Sequence, residues 1–276
     1  MSLLWPDRLT IFLHPQRLLI ERAGGRWRAR QSEKTLVTVA PAEDDAAPWR
    51  PMVDTLRTLV DQEKLQGKEI TLVLSNQFAH YLLVPGSELL KDHQEELLFA
   101  HQNFRRFYGS VADQWDVRIT DAPPGEPRLA CGIGKELVAA LDDTMQRAGN
   151  RYVSLQPLLM HSFNTWRRQI GKKAGWFVEV EPGVLCIAAV QAGNWRTVAV
   201  SRSIHNWTEQ LPDLLDRETS LGDLENQGNS VLLLLGDDSR PRLSKAGPWH
   251  FEYLEPQPHG GVSSGANAIL RSGAAG

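Results

Sequence analysis

A short pattern of residues occurs twice in this sequence and limits the folds that the chain can adopt. The pattern is P-x-x-L-x-I followed by G-x-W-R, and its two copies cover 15–20 with 25–28 and 182–187 with 193–196. An amphipathic segment and then a short apolar run follow each copy, at 49–65 with 70–74 and at 207–224 with 231–235. Each half therefore predicts the order β-β-β-α-β. One long repeat present twice indicates two similar lobes, since a solenoid needs several short repeats.

Composition excludes several classes of protein. The chain has 276 residues, of which 42% are hydrophobic, so it can form two modest domains, each with its own core. A net charge of −3 and an isoelectric point near 6.3 provide no general attraction to nucleic acid or to anionic lipid. Cys131 and Cys186 lie in apolar strand candidates and form no CxxC motif. We therefore predict two buried thiols, and neither a disulfide nor a zinc site.

The sequence also bears on localisation. Residues 1–8 lack the basic start, long apolar segment and small-residue cleavage site of a signal peptide. No apolar run approaches the roughly 18 residues that a membrane span requires. We expect a cytoplasmic chain that does not insert into the membrane by itself.

The segment between the two repeats has its own order. Its predicted elements are a strand at 78–84, a helix at 88–108 that ends at Gly109, strands at 115–120 and 128–133, a helix at 135–148, a strand at 153–156 and a helix at 158–169. These elements predict a first lobe at 1–170 with an inserted subdomain at about 77–150, a linker at 171–175, and a second lobe at 175–256. The Gly/Ser/Ala-rich tail at 257–276 is predicted to be disordered.

The duplicated unit with an insert in its first copy resembles the actin-like superfamily, an α/β fold of two ribonuclease-H-like lobes. Within the insert, Leu83-Val84-Pro85 precedes a long helix, a strand pair and a second helix, and the motif at 153–158 follows. This order resembles the actin-like assembly proteins of type IV pili and type II secretion, namely the PilM-type protein, its relatives in mannose-sensitive pilus systems, and the cytoplasmic half of the GspL-type protein. The resemblance spans residues 8–255 and rests on element order and short motifs.

The sequence departs from this superfamily at its phosphate-binding motifs. Actin-like ATPases carry an acidic D-x-G in the first hairpin, where this chain has Phe12-Leu13-His14. Phenylalanine offers no oxygen to a hard cation, and His14 before a proline provides neither glycine's close backbone approach nor a free amide. In the second hairpin Glu179 keeps a carboxylate, but Glu181 replaces a glycine. The glycine-rich adenosine motif is reduced to Gly236-Asp237-Asp238.

The altered motifs leave two alternatives for nucleotide binding and ATPase activity. We expect no cofactor and no ATPase activity; the alternative is a divergent ATPase that binds ATP and magnesium through Glu179 and Asp237. Ser75-Asn76 and Asp237-Asp238 end equivalent strands, where open α/β sheets bind ligands, although such residues also commonly cap and turn a chain. Gly132–Lys135 lacks the full phosphate-loop spacing, and no histidine pair has the spacing of a helical metal site.

The inserted helix carries the predicted partner surface. The end of this helix mixes aromatic residues with arginines, a composition typical of protein interfaces: Phe104, Arg105, Arg106, Phe107 and Tyr108. The strand at 78–84 offers an edge to which an extended peptide could add. The simpler interpretation is that these aromatic side chains face the core and the arginines are solvated.

Taken with the resemblance, these features predict a non-catalytic cytoplasmic scaffold of a type IV pilus or type II secretion-like machine. Its partner would be a cytoplasmic segment of an inner-membrane pilus or secretion protein, which would hold the scaffold at the membrane periphery, and self-association is a further expectation. The rival hypothesis is the divergent ATPase, and a two-lobed domain of unrelated role is the third.

Overall fold

A computed structural model describes most of the chain. The described residues are 8–22, 33–41, 47–62, 65, 68–90, 92–123, 125–149, 151–170, 175–191, 193–202, 206–222, 224, 228–235, 241, 243 and 247–254. Gly25, Trp27, residues 171–174 of the predicted linker at 171–175, and the tail at 257–276 lie outside them. The predicted lobe boundaries therefore stay a prediction.

Thirteen strands, five α-helices and a 3₁₀ helix make up the described part. In chain order they are β1 (Arg8–His14), β2 (Arg17–Arg22), β3 (Glu33–Thr38), α1 (Arg50–Gln62), β4 (Glu69–Leu74), β5 (Ala79–Val84), α2 (His93–Tyr108), the 3₁₀ helix (Gly109–Gln114), β6 (Trp115–Ile119), β7 (Arg128–Gly134), α3 (Lys135–Arg147), β8 (Arg151–Pro157), α4 (Leu158–Ile170), β9 (Gly175–Glu181), β10 (Val184–Gln191), β11 (Asn194–Arg202), α5 (Trp207–Leu221), β12 (Ser230–Leu235) and β13 (His250–Tyr253).

Two five-stranded sheets repeat one topology. Their strand orders are β3-β2-β1-β4-β8 and β11-β10-β9-β12-β13. In each sheet the first three strands form an antiparallel meander, and the strand after the helix pairs in parallel with the first strand. The predicted β-β-β-α-β order is thus present in both halves. The central strands are apolar because both of their faces are covered.

The segment predicted as an inserted subdomain contains a third sheet, of order β5-β7-β6, with α2 across one face. Gly132 of β7 leaves room for an aromatic ring there, since a Cβ at this position would lie 2.9 Å from Cε3 of Trp115. The helix α2 ends as predicted at Gly109, whose φ of 76° is readily adopted only by glycine.

The predicted start of α2 at residue 88 is wrong. The helix begins at His93, because the carboxylate of Asp92 accepts hydrogen bonds from the backbone N–H groups of Gln94 and Glu95, both 2.9 Å. Those groups have no partner within the helix, so a capping aspartate fixes the end there. The hydroxyl of Ser87, chosen from the sequence, caps only a local turn at Leu89.

The second sheet has two buried faces that pack against different parts of the molecule. On one face, α5 packs through Leu211 and Leu215 on alternate residues of β9, β10 and β12. The other residues of these strands join the core of the first half: Phe177, Cys186, Ala188, Val190, Leu232 and Leu234. One continuous core therefore runs from the first sheet into the second.

Candidate functional site

The ends of the two equivalent hairpins, β1–β2 and β9–β10, meet at a buried group of polar residues. Ser75 and Asn76 directly follow β4, Ser162 lies in α4, and Glu179 and Glu181 close β9. We call these five residues the interlobe cluster. Two of them follow a strand of the first sheet, Ser162 comes from the helix between the two sheets, and the two glutamates come from the second sheet, so the cluster forms where the parallel strands of both sheets end.

Glu181 reaches from the second sheet to the end of the first. Its Oε2 accepts a 2.6 Å hydrogen bond from the hydroxyl of Ser75, and its Oε1 accepts a 3.0 Å bond from the backbone N–H of Asn76. Because Glu181 immediately precedes the turn at Pro182 and Gly183, the hairpin itself holds the carboxylate in place. Gly183 has a φ of 74°, which suits the second turn position.

Glu179 lies two residues earlier on the same face of β9. Its Oε2 accepts a 2.8 Å hydrogen bond from Nδ2 of Asn76, and its Oε1 shares a short hydrogen bond with the hydroxyl of Ser162. Asn76 is in turn fixed by its own Oδ1, which accepts from the hydroxyl of Tyr81 at 2.6 Å and from the backbone N–H of Leu159 at 3.1 Å. All four carboxyl oxygens of the pair are thus engaged.

Further hydrogen bonds around the cluster join the two halves. Nε2 of Gln77 donates to the carbonyl of Pro182 at 3.0 Å. The Arg202 guanidinium, at the end of β11, donates through Nη2 to the carbonyls of Ala79 at 2.7 Å and Asn76 at 3.3 Å. The halves are therefore connected through side chains and backbone groups as well as through the apolar core.

Burial changes the acidity of the pair. Glu179 is 1% and Glu181 3% exposed. Burial, and next the charge of Glu181, raise the pKa of Glu179 from its ordinary 4.5 to about 8, against the hydrogen bonds from Ser162 and Asn76. Burial also raises the pKa of Glu181 to about 7, although the bonds from Ser75 and Asn76 and the charge of Arg17 oppose it.

The equivalent positions of the first hairpin are filled by rings. Phe12 and His14 are fully buried, and the ring of Phe12 meets that of His161 edge to face at 5.3 Å. Nδ1 of His14 accepts from the backbone N–H of Gln16 at 3.2 Å. Burial, and next the charge of Arg17, lower the pKa of His14 to about 4, so the imidazole is neutral.

The hairpin residues that the structure describes are poorly suited to hold magnesium. The first hairpin offers rings where a cation needs oxygen, and both carboxylates of the second already accept hydrogen bonds from the protein. Asp237 and Asp238, the other predicted ligands, lie outside the described residues. Of the sequence candidates, the fold brings Ser75, Asn76 and Glu179 together.

Several solved structures share this architecture. One is the cytoplasmic domain of EpsL, an inner-membrane component of the type II secretion system of Vibrio cholerae, with a TM-score of 0.54 at 11% identity over 91% of this chain and 90% of that chain. A Bacteroides thetaiotaomicron protein with an actin-like ATPase fold and unknown function also gives 0.54, at 11% identity over 84% and 82%. The chain has an actin-like fold. The prediction of the fold class is therefore confirmed.

A third similar structure is the PilM-PilN type IV pilus biogenesis complex, with a TM-score of 0.55 at 14% identity over 83% of this chain and 81% of that chain. The predicted likeness to pilus and secretion assembly proteins is thus present in the fold. No protein-family model and no curated protein matches the sequence.

The predicted partner surface is only partly exposed. Phe104 was expected there, but it is fully buried, because it packs against Trp115 with ring centroids 5.7 Å apart on the face of the third sheet. Phe107 and Tyr108 are 67% and 40% exposed, and Arg105 and Arg106 are exposed as well. The predicted partner surface on α2 therefore stays a proposal, and it rests on these four exposed residues.

The edge of β5 is less open than the sequence suggested. The carbonyl of Ala79 accepts the hydrogen bond from Arg202, and β11 of the second sheet lies alongside β5. The other edge strand of the third sheet is β6, which pairs only with β7 among the described strands.

A groove that the sequence did not reveal lies on the face of the third sheet opposite α2. It encloses about 550 Å³ between β6, β7, α3 and the end of β8. Its walls combine apolar and charged side chains: Ile133, Val138, Leu155, Asp116, Arg118 and Asp142. Because these residues come from four separate elements, no local motif could have identified the groove.

The remaining sequence predictions concern isolated residues. Gly132–Lys135 forms an ordinary passage from β7 into α3, and Nζ of Lys135 donates to the carbonyl of Asp113 at 2.8 Å. Cys131 and Cys186 are buried free thiols, as predicted. Within the described residues, no group of three or more His, Cys, Asp or Glu side chains is arranged to hold a metal ion. Each helix of the described part is too short or too polar to cross a bilayer.

Proposed function

We propose that this chain is a non-catalytic, actin-like scaffold of a type IV pilus or type II secretion-like assembly machine. The interlobe cluster is the observation that carries the proposal. Where an actin-like ATPase would place phosphates and magnesium between its hairpins, this chain places its own carboxylates, hydroxyls and amide in hydrogen-bonded contact. The cluster replaces the nucleotide as the connection between the halves.

The apolar core that both halves of the chain share favours a scaffold whose halves stay in one fixed arrangement. In an ATPase, a ligand can change the relation of two lobes only by binding one arrangement better than another. Here Phe177, Leu232 and Leu234 of the second half pack into the core of the first half, so separation of the halves would expose apolar surface to water. A fixed arrangement suits a docking platform.

The partner class follows from the similar structures. EpsL is an inner-membrane component of a secretion system, and PilM is seen in a complex with PilN. By analogy, this chain binds a cytoplasmic segment of an inner-membrane protein and lies in the cytoplasm at the membrane periphery. Self-association of the scaffold and retained ATP binding through Glu179 and Asp237 are further hypotheses that the described residues leave open.

The groove between β6 and α3 is the best-formed place for that segment. Val138 and Leu155 provide an apolar wall, and the free edge of β6 offers backbone hydrogen bonds to an extended chain. The carboxylate of Asp142 is half-buried in the wall and has no partner within the described part of the chain. The groove therefore suits an extended segment that carries aliphatic side chains and one basic residue.

Photocrosslinking in cells tests the proposal and compares the two candidate surfaces. A photoreactive amino acid replaces Val138 in the groove, Phe107 on α2, or Leu221, which is 76% exposed at the far end of α5 and serves as the control. We expect Val138 to crosslink to the cytoplasmic segment of an inner-membrane protein, as identified by mass spectrometry, and Leu221 to give no such product. Crosslinks at Phe107 alone would move the partner to α2, and no membrane-protein product at either position would contradict the scaffold function.

A further inference from the structure

The hydrogen-bond donors and acceptors of the interlobe cluster determine where a proton can reside. The side-chain orientation of Asn76 is the starting point. Its Oδ1 accepts from the backbone N–H of Leu159, which can only donate, and from the hydroxyl of Tyr81. The other amide atom, Nδ2, must therefore be the nitrogen, and it donates to Oε2 of Glu179.

Both oxygens of Glu181 face donors. Oε1 meets the backbone N–H of Asn76, which cannot accept. Oε2 meets the hydroxyl of Ser75, whose oxygen accepts a 3.2 Å bond from the backbone N–H of Gln77. Among the described residues the hydrogen of Ser75 has no acceptor other than Glu181, so it points to that carboxylate. A proton on either oxygen would face another hydrogen. Glu181 is therefore the ionised member of the pair.

Glu179 has one oxygen that can carry a proton. Its Oε2 accepts from Asn76, but its Oε1 faces the hydroxyl of Ser162, which can accept as well as donate. Ser162 Oγ has no other hydrogen-bond partner among the described residues. When it accepts from a carboxylic acid, its own hydrogen can turn to the carbonyl four residues earlier in α4, as serines in helices commonly do.

The charged and titratable groups around the pair agree with this assignment. The charge of Arg17 in β2 lowers the pKa of Glu181 and so favours a charge on that member of the pair. Burial raises the pKa values of Tyr81 of β5 and Cys186 of β10 well above their ordinary values, so both are neutral near pH 7. The charge of Arg202 in β11 lowers the pKa of Cys186, against the larger effect of burial.

We propose that the two carboxyl groups hold a single proton, on Oε1 of Glu179 and donated to Ser162, and that loss of this proton weakens the contact between the two halves of the molecule. On release the proton passes to solvent, and two adjacent buried carboxylates remain with like charges. Desolvation and repulsion then both oppose the closed cluster. The cluster is thus a proton-sensitive connection in the place where the fold would hold a nucleotide.

The direction of the pH dependence follows from linkage. The pKa of Glu179 is raised from 4.5 to about 8 in the folded chain, and that of Glu181 to about 7. A carboxyl group with a raised pKa stabilises the fold fully below its unfolded pKa, and this contribution is lost as the pH rises through the folded pKa. Such a coupled pair titrates as a unit. The contact should therefore weaken as the pH rises from about 4.5 to about 8, and should change little above that range.

Two isosteric variants test the proposal. In Glu179→Gln, the amide oxygen can accept from Asn76 while its nitrogen donates to Ser162, which reproduces the protonated acid at every pH. In Glu181→Gln, the amide nitrogen meets a donor in either orientation. Chemical unfolding of the full chain compares each variant with wild type at about pH 4.5 and about pH 9. The Glu179→Gln variant should nearly equal wild type in stability at the lower pH and exceed it at the higher pH. Glu181→Gln should be less stable than wild type at both.

Hydrogen exchange of the Asn76 amide reports the contact itself. In wild type, exchange corrected for its intrinsic pH dependence should accelerate by up to about tenfold per pH unit between about pH 4.5 and about pH 8, whereas in Glu179→Gln it should not. Isotope-edited infrared spectra should contain a carboxylic acid band that Glu179→Gln abolishes and Glu181→Gln retains. Absence of that band in wild type, an equal loss of stability in the two variants, or the same pH dependence in wild type and Glu179→Gln would overturn the proposal.

Discussion

The two equivalent hairpins have nearly the same backbone and opposite chemistry. By the repeat, Phe12 corresponds to Glu179 and His14 to Glu181, and both hairpins are antiparallel pairs beside a parallel strand. Phe12 packs against the ring of His161, and Glu179 bonds to the neighbouring Ser162 of the same helix. The first hairpin therefore contacts α4 through rings, and the second through carboxyl groups.

This difference indicates that the two copies diverged into complementary halves. If both hairpins carried carboxylates, the buried site would contain four like charges; if both carried rings, Ser75, Asn76 and Ser162 would lose their partners. Since an unpaired buried polar group costs about 1–3 kcal/mol, each arrangement would be unstable without a ligand. One apolar and one acidic hairpin give a closed site without a ligand.

Replacement of Asn76 by alanine should break this complementarity most strongly. The change removes the partner of Glu179 Oε2, of the Tyr81 hydroxyl and of the Leu159 amide at once. At about 1–3 kcal/mol for each unsatisfied buried group, we expect the free energy of unfolding to fall by about 4 kcal/mol. Chemical denaturation of the variant and of wild type measures this loss of stability.

Asn103→Ala provides the matched control for that change. Asn103 makes one side-chain hydrogen bond, 2.8 Å to the carbonyl of Phe99 in its own helix, and is partly exposed. Its loss should cost no more than about 1 kcal/mol. Equal effects of the two substitutions would show that the hydrogen bonds of the interlobe cluster contribute nothing special to stability.

A moderate effect is expected when Arg202, which joins β11 to the inserted subdomain, is replaced by alanine. Loss of its bonds to the carbonyls of Ala79 and Asn76 should lower the free energy of unfolding by about 1–2 kcal/mol, because its side chain is partly solvated. Burial, and next the charge of Arg202, lower the pKa of His80 to about 4. Without that charge the pKa should rise but stay below 6.5, since burial remains.

NMR titration of the His80 ring measures this shift. An unchanged His80 pKa in a folded Arg202→Ala protein would mean that β11 does not approach the inserted subdomain in solution.

The smallest effect on stability should come from the addition of ATP with magnesium. This addition tests whether the rings of the first hairpin prevent binding even though the second hairpin has carboxyl groups. We expect no magnesium-dependent change in the thermal unfolding temperature, because Phe12 and His14 fill the place of the acidic motif. A ligand at about 100 times its dissociation constant would stabilise the fold by about 2.7 kcal/mol, which thermal unfolding detects easily. A clear rise at millimolar ATP would favour the divergent ATPase.

Much of the fold could be predicted from local sequence. The P-x-x-L-x-I repeat, the apolar runs and the turns identified the element order, because hydrophobic periodicity and turn residues act over a few positions. The fold class followed from the resemblance of this order to the actin-like superfamily. The start of α2 was misplaced because Ser87 and Asp92 are both good capping residues, and only the packed helix distinguishes them. The strand β13, with four residues, has too little periodicity to be recognised.

The alteration of the phosphate motifs can be read from the amino-acid sequence alone, since Phe12, His14 and Glu181 are visible without a structure. The contacts that take the place of those motifs become apparent only in the folded protein. Ser75 and Glu181 are 106 residues apart and meet because two sheets end at the same place. The burial of Phe104 and the groove beside Val138 likewise depend on how a sheet faces its neighbouring helices. Such contacts arise from the packing of distant elements, which no short segment of sequence encodes.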